Sequence, residues 1–143
     1  MNWGDLMFKK QFSAMKAYEQ SKLANVLMTV QLSKILKGTG VTVYSLHPGV
    51  VFTEFGRYIL EKYGVVAKMI GVIMMPLIWL VFKTPEQGAQ TTIYCAVDET
   101  LNNVSGRYYS DCKEKPMKPQ ASNEGDAAKL WKVSEELTKK FLD

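Results

Sequence analysis

Tyr18 and Lys22 stand four positions apart in the run Tyr-Glu-Gln-Ser-Lys, inside a stretch rich in helix formers. In a helix that spacing sets a phenol and an ammonium on one face, one turn from each other, where both can reach a single ligand. A free tyrosine titrates near pH 10, so at neutral pH only about 0.1% of it is phenolate and it is a poor base. A neighbouring cation stabilises the phenolate and lowers that value. A phenol tuned this way can give a proton to a carbonyl oxygen during a reduction, or take one from an alcohol during an oxidation, while a cofactor carries the hydride. The spacing alone is a weak signal, because any long helix can place an exposed Tyr and Lys so. Its weight depends on the elements around it.

The helix itself is the clearest of these elements. From about Ser13 to Leu36 good helix formers dominate, Leu23, Val26, Leu27 and Val30 recur at three- and four-residue spacing, and Gly38 stands just past the end as a stop. Val41 to Leu46 follows as a β-branched and aromatic run, apolar enough to predict a strand covered on both faces, as in a parallel sheet. His47-Pro48-Gly49 ends it. Helix, glycine turn and buried strand make half of an alternating α/β pattern. Further on, Thr84-Pro85-Glu86-Gln87 reads as an N-cap, a proline at the first helical position and a capping-box partner, starting a helix that runs to about Val97. Gly106 to Ser110 is predicted as the last strand. From Ser122 onward Ala127, Leu130, Trp131, Leu137 and Phe141 mark one face of a terminal helix, with Lys139 and Lys140 at its negative end. Pro116 and Pro119 keep the link before it non-helical.

A chain of 143 residues can form one domain burying roughly 70% of its unfolded surface, and residues 1–143 are read as a single unit. The composition, 47% hydrophobic and 22% charged, excludes a disordered or fibrous class. The net charge of +4 comes from scattered lysines, so nucleic acid is not an expected partner. Cys95 and Cys112 lack the paired spacing of a zinc or redox motif; no metal site is expected, and Cys95 is read as a buried free thiol in a reducing compartment. The opening Met1-Asn2-Trp3-Gly4-Asp5 is not a signal peptide. Met69 to Phe82 is apolar, but interrupted by Gly71 and Pro76 and short of the ~20 residues of a membrane span. It is read as a core helix, a lid over an apolar substrate, or a segment that dips into a membrane interface. His47 is read as a pocket wall, and Asn103-Val104-Ser105 as a chance match to a glycosylation acceptor.

The order of these features is more telling than any one of them. A Tyr-x-x-x-Lys helix, then a strand, then Pro48-Gly49-Val50-Val51-Phe52-Thr53 resembles the short-chain dehydrogenase/reductase family. The wider runs Ser21–Asn25, Gly40–Gly49 and Lys83–Thr91 look like its retinol dehydrogenase branch. The resemblance implies that Tyr18 is the acid/base and that Lys22 binds the nicotinamide ribose hydroxyls while lowering the tyrosine pKa. It places Pro48, Gly49 and Thr53 beside the nicotinamide and pyrophosphate of NADP or NAD, with NADP favoured. A small apolar alcohol or carbonyl compound, such as retinol or retinal, is the implied substrate. A homodimer or pairing with a full-length relative is the implied assembly. The implied location is the cytoplasm or the cytoplasmic face of the endoplasmic reticulum, with peripheral membrane contact.

The departures shape the expectation equally. The family's Gly-rich turn, which seats the pyrophosphate on a helix N-terminus, is not found in these residues. Gly38-Thr39-Gly40 does not replace it, because it follows a helix and precedes a strand, the reverse of the required order. The family's catalytic serine and asparagine are missing too; Ser13 is too close to Tyr18 and reads as a helix-start residue. The expected fold is therefore a partial Rossmann-type α/β domain, the later strands and helices of a doubly wound parallel sheet without its N-terminal nucleotide-binding half. Such a chain alone is expected to be inactive. Its rival reading is a non-catalytic truncated isoform or fragment that acts as an interaction partner of a full-length relative.

Overall fold

The computed structural model describes residues 1–51 and 82–141. Met69 to Val81 and Thr53 lie outside the described residues. The first helix, α1, spans Ala14–Ile35, one residue inside each predicted end. Ser13 is its N-cap by position but makes no side-chain capping bond, and Gly38, at φ +85°, turns the chain away beyond Leu36.

The chain then differs from expectation. The strand β1 is Tyr44–His47, shorter and later than Val41 to Leu46. Gly40 takes φ +81° and the Val41 N–H is drawn back to the Thr39 hydroxyl at 3.3 Å, so the first residues of the apolar run serve to turn the chain. Val41 is left exposed. The strand is half-buried from Tyr44 to Leu46 and exposed at His47, so the described elements do not cover it on both faces.

The second helix, α2, is Pro85–Val97, as its start signals predict. Its capping box is complete: the Gln87 N–H donates to the Thr84 hydroxyl at 3.2 Å, and the Thr84 N–H donates to the Gln87 side-chain oxygen at 3.0 Å. A 3-10 turn at Glu99–Leu101 leads to β2, Arg107–Ser110. This strand is not the last, because β3, Lys113–Glu114, follows it directly. Asp111 and Cys112 both take φ +55°, the conformation of a two-residue hairpin turn, and the Lys115 N–H returns to the Tyr108 carbonyl at 2.8 Å. The sheet order is β1-β2-β3. The fold is thus mixed α/β with a small sheet, as part of a Rossmann-type domain would be.

The described residues fall into two compact units. The first comprises Met1–Ser45, Glu99–Tyr108 and the described part of Glu114–Asp143; the second comprises Tyr109–Lys113 and the described parts of Leu46–Asp98. In the first unit the last helix, α3 (Glu124–Thr138), packs on α1, and Leu27, Val30, Ala127 and Leu130 form the core between them. Trp3 closes one side, donating its indole N–H to Asp126 at 3.0 Å, with the Lys129 ammonium 4.4 Å over its ring. The predicted stripe of α3 is only partly buried: Leu137 is 51% and Phe141 76% exposed. The apolar stripe is longer than the surface that α1 and the N-terminal segment offer it. In the second unit Thr91 and Tyr109 are buried, and the Tyr94 and Tyr109 rings meet at 5.9 Å.

One glycine sets a close approach within the first unit. Gly106 has φ +73°, and a Cβ there would stand 2.5 Å from the Ser33 hydroxyl oxygen. Gly106→Ala is expected to lower stability by about 1–2 kcal/mol from the backbone alone. Adding Ser33→Ala should recover part of the loss in urea unfolding. Full stability in Gly106→Ala would contradict the close approach.

Candidate active site

The amphipathic pattern of α1 decides where Tyr18 points. Leu27 lies nine residues on, about 180° around a helix of 3.6 residues per turn, and Leu27 is completely buried. Burying Leu27 against α3 therefore turns Tyr18 outward, and its ring is 61% exposed. Lys22, also exposed, holds its ammonium 5.3 Å from the centroid of that ring. The pair that the spacing predicts does meet. The contact is of the ammonium with the ring face, a cation–π geometry, not with the phenol oxygen. Between them Ser21 donates to the Tyr18 carbonyl at 2.7 Å. Gln20 ties the N-terminal segment to the helix, donating to the Leu6 carbonyl and accepting the Asn2 N–H, each at 2.8 Å.

Pro48 and Gly49 belong to the second unit. Pro48 is exposed and Gly49 takes φ +88°, a conformation that glycine adopts without steric cost. A Cβ on Gly49 would lie 2.8 Å from Cδ and 3.1 Å from Nζ of Lys83. Lys83 is held there from both ends. Its N–H donates to the Val50 carbonyl at 2.8 Å, Val51 and Lys83 form a parallel bridge, and its ammonium is paired with the Asp111 carboxylate. Gly88, in the first turn of α2, packs so closely on Val51 that a Cβ would stand 2.5 Å from Cγ2. The capped start of α2 thus presses on the residues that follow Pro48-Gly49.

Lys83 is the side chain that sequence reading missed. Its only sequence signal was its place just before the Thr84 cap, which fixes its backbone direction. His47 is exposed at the end of β1. Cys95 and Cys112 are both free and only half-buried, so Cys95 is not the buried thiol expected of it. It lies near the end of α2, where burial is incomplete, and even so burial pushes its thiol upward, with a smaller push from Cys112. Among the described residues no group of three or more His, Cys, Asp or Glu side chains is placed to hold a metal ion.

With that geometry in place, comparison with known proteins shows the chain to be similar, over the C-terminal half of their length, to retinol dehydrogenases of the short-chain dehydrogenase/reductase family. It is 43% identical over 139 residues to human retinol dehydrogenase 14 and 44% identical over 137 residues to human retinol dehydrogenase 12. Mouse retinol dehydrogenase 13 is 43% identical over 137 residues. These matches cover 94%, 93% and 96% of the chain, but the chain spans only 39% of the length of each relative, over the C-terminal half. No family model matches.

Proposed function

We propose that these residues are the acid/base part of an NAD(P)-dependent oxidoreductase that interconverts the alcohol and carbonyl forms of an apolar substrate such as retinol and retinal. The observation that carries the reading is the Lys22 ammonium set 5.3 Å from the Tyr18 ring on the solvent side of a helix anchored by its opposite face. An exposed phenol and ammonium, one turn apart, suit the ribose hydroxyls of a nicotinamide nucleotide. Pro48, Gly49 and Thr53 would lie beside its nicotinamide and pyrophosphate, and likeness to the family favours NADP. When bound, the nicotinamide would supply or accept the hydride. Tyr18 gives its phenolic proton to the carbonyl oxygen in reduction and takes the proton from the alcohol in oxidation. The charge of Lys22 offsets the negative charge left on the phenol as its proton leaves.

The 143 residues by themselves are proposed to be inactive, because their sequence holds no Gly-x-Gly-x-x-Gly run of the kind that seats a pyrophosphate. The monodisperse chain, mixed with NADPH and retinaldehyde, should show no saturable NADPH consumption. Consumption that saturates and is lost in Tyr18→Phe would overturn this and make the chain an enzyme alone. No helix of the described residues is long and apolar enough to cross a membrane. Peripheral contact with the cytoplasmic face of the endoplasmic reticulum is proposed to run through residues 69–82.

A second reading rests on the start of α1. Met15, Tyr18 and Lys22 form one exposed stripe at helical spacing, with Met15 68% exposed. This reading has the chain acting without catalysis, as the partner of a second copy or of a full-length relative. Sedimentation with and without the relative, together with nicotinamide binding by the chain, separates the two.

A further inference from the structure

In α2, Thr91, Tyr94 and Cys95 occupy positions i, i+3 and i+4 and so share one face. That face meets strand β2 at one point and the β2–β3 turn at another. The Tyr94 ring tilts at 59° against Tyr109, and the fully buried Thr91 hydroxyl accepts the Cys112 N–H at 3.3 Å. Cys95, one helical turn beyond Thr91, therefore lies on the same side of α2 as the contact with Cys112. Burial pushes the Cys95 thiol upward, with a smaller push from Cys112.

The turn shows a second irregularity. Asp111 and Cys112 both hold φ +55°, where a two-residue hairpin turn favours Asn-Gly. A cysteine thus occupies, at a steric cost, the position that local turn chemistry would assign to glycine. Both thiols are half-buried, within reach of a small reagent.

We propose that Cys95 and Cys112 form a dithiol redox site that closes to an intramolecular disulfide by exchange with a small disulfide such as glutathione disulfide. Cys112, as thiolate, attacks one sulfur of glutathione disulfide, forming a mixed disulfide and releasing one glutathione thiolate. Cys95, losing its proton, then attacks the Cys112 sulfur and expels the second glutathione. The two protein thiols give up two electrons and two protons, and glutathione disulfide takes them to become two thiols. The closed bond would pin the β2–β3 turn to α2. The site stands apart from the oxidoreductase reading, because its readout is mass and not turnover.

The test uses the full chain, dilute and in native buffer, equilibrated with glutathione of graded redox ratio and quenched with iodoacetamide. Intact mass should fall by two hydrogen atoms, and digestion should yield the Cys95 peptide linked to the Cys112 peptide. Cys95→Ser should instead retain one glutathione on Cys112. Closure in native buffer should occur at a glutathione ratio at least ~10-fold more reducing than in denaturant, because the fold holds the thiols together. Stable glutathione adducts on the unsubstituted chain, cross-links only between chains, or closure no easier in native buffer than in denaturant would each overturn the proposal.

Discussion

Tyr18→Phe is expected to lower turnover at least ~100-fold, the usual scale for an acid/base group, in a form of the protein that carries a Gly-rich nucleotide-binding unit ahead of Met1. The change removes one hydroxyl from a ring that is already 61% exposed, so folding should be unaffected and the loss chemical. Lys22→Ala is expected to cost a similar factor, since it removes both the charge beside the phenol and the proposed contact with the ribose hydroxyls. The two should differ in kind: Tyr18→Phe acts on kcat, whereas Lys22→Ala also raises KM for the nicotinamide nucleotide. Their effects should not multiply in the double variant, because both residues are proposed to act on one proton. Near-full activity in Tyr18→Phe would remove the assignment.

Leu27→Ala is expected to lower stability by about 3 kcal/mol, within the range for fully buried leucines. Leu27 has no exposed surface, and its neighbours Val30, Ala127 and Leu130 belong to two helices that cannot close on the void independently. The urea midpoint should fall with the slope unchanged. The same residue orients the site, as it faces the core directly opposite Tyr18. Turnover of the folded fraction should nonetheless persist in the longer form, because the cavity lies on the far side of α1. A loss below about 1 kcal/mol would show that the core between α1 and α3 is not where stability resides.

The sequence by itself determined what depends on neighbours along the chain. The limits of α1, the capping box at Thr84, the end of α2 at Val97 and the meeting of Tyr18 with Lys22 all follow from spacing over one to four turns. The packing of α1 on α3 was legible as apolar periodicity. So was the likeness to retinol dehydrogenases, through the order of helix, strand and Pro-Gly. Tertiary structure decided everything that depends on residues distant in the chain. The Val41 run lost its first three residues to the turn at Gly40, because a pairing partner, not propensity, sets where a strand starts. Leu137 and Phe141 carry the right periodicity but outrun the surface available to cover them. Asp111 and Cys112 adopt a turn that their side chains do not favour, giving β2 a partner strand that its own pattern did not announce. The contact that Lys83 makes left no sign in the sequence, because a lysine before a helix cap looks like any solvated charge. Only the parallel bridge to Val51 lays it against Gly49, and a contact across more than thirty residues leaves no periodic trace in a sequence.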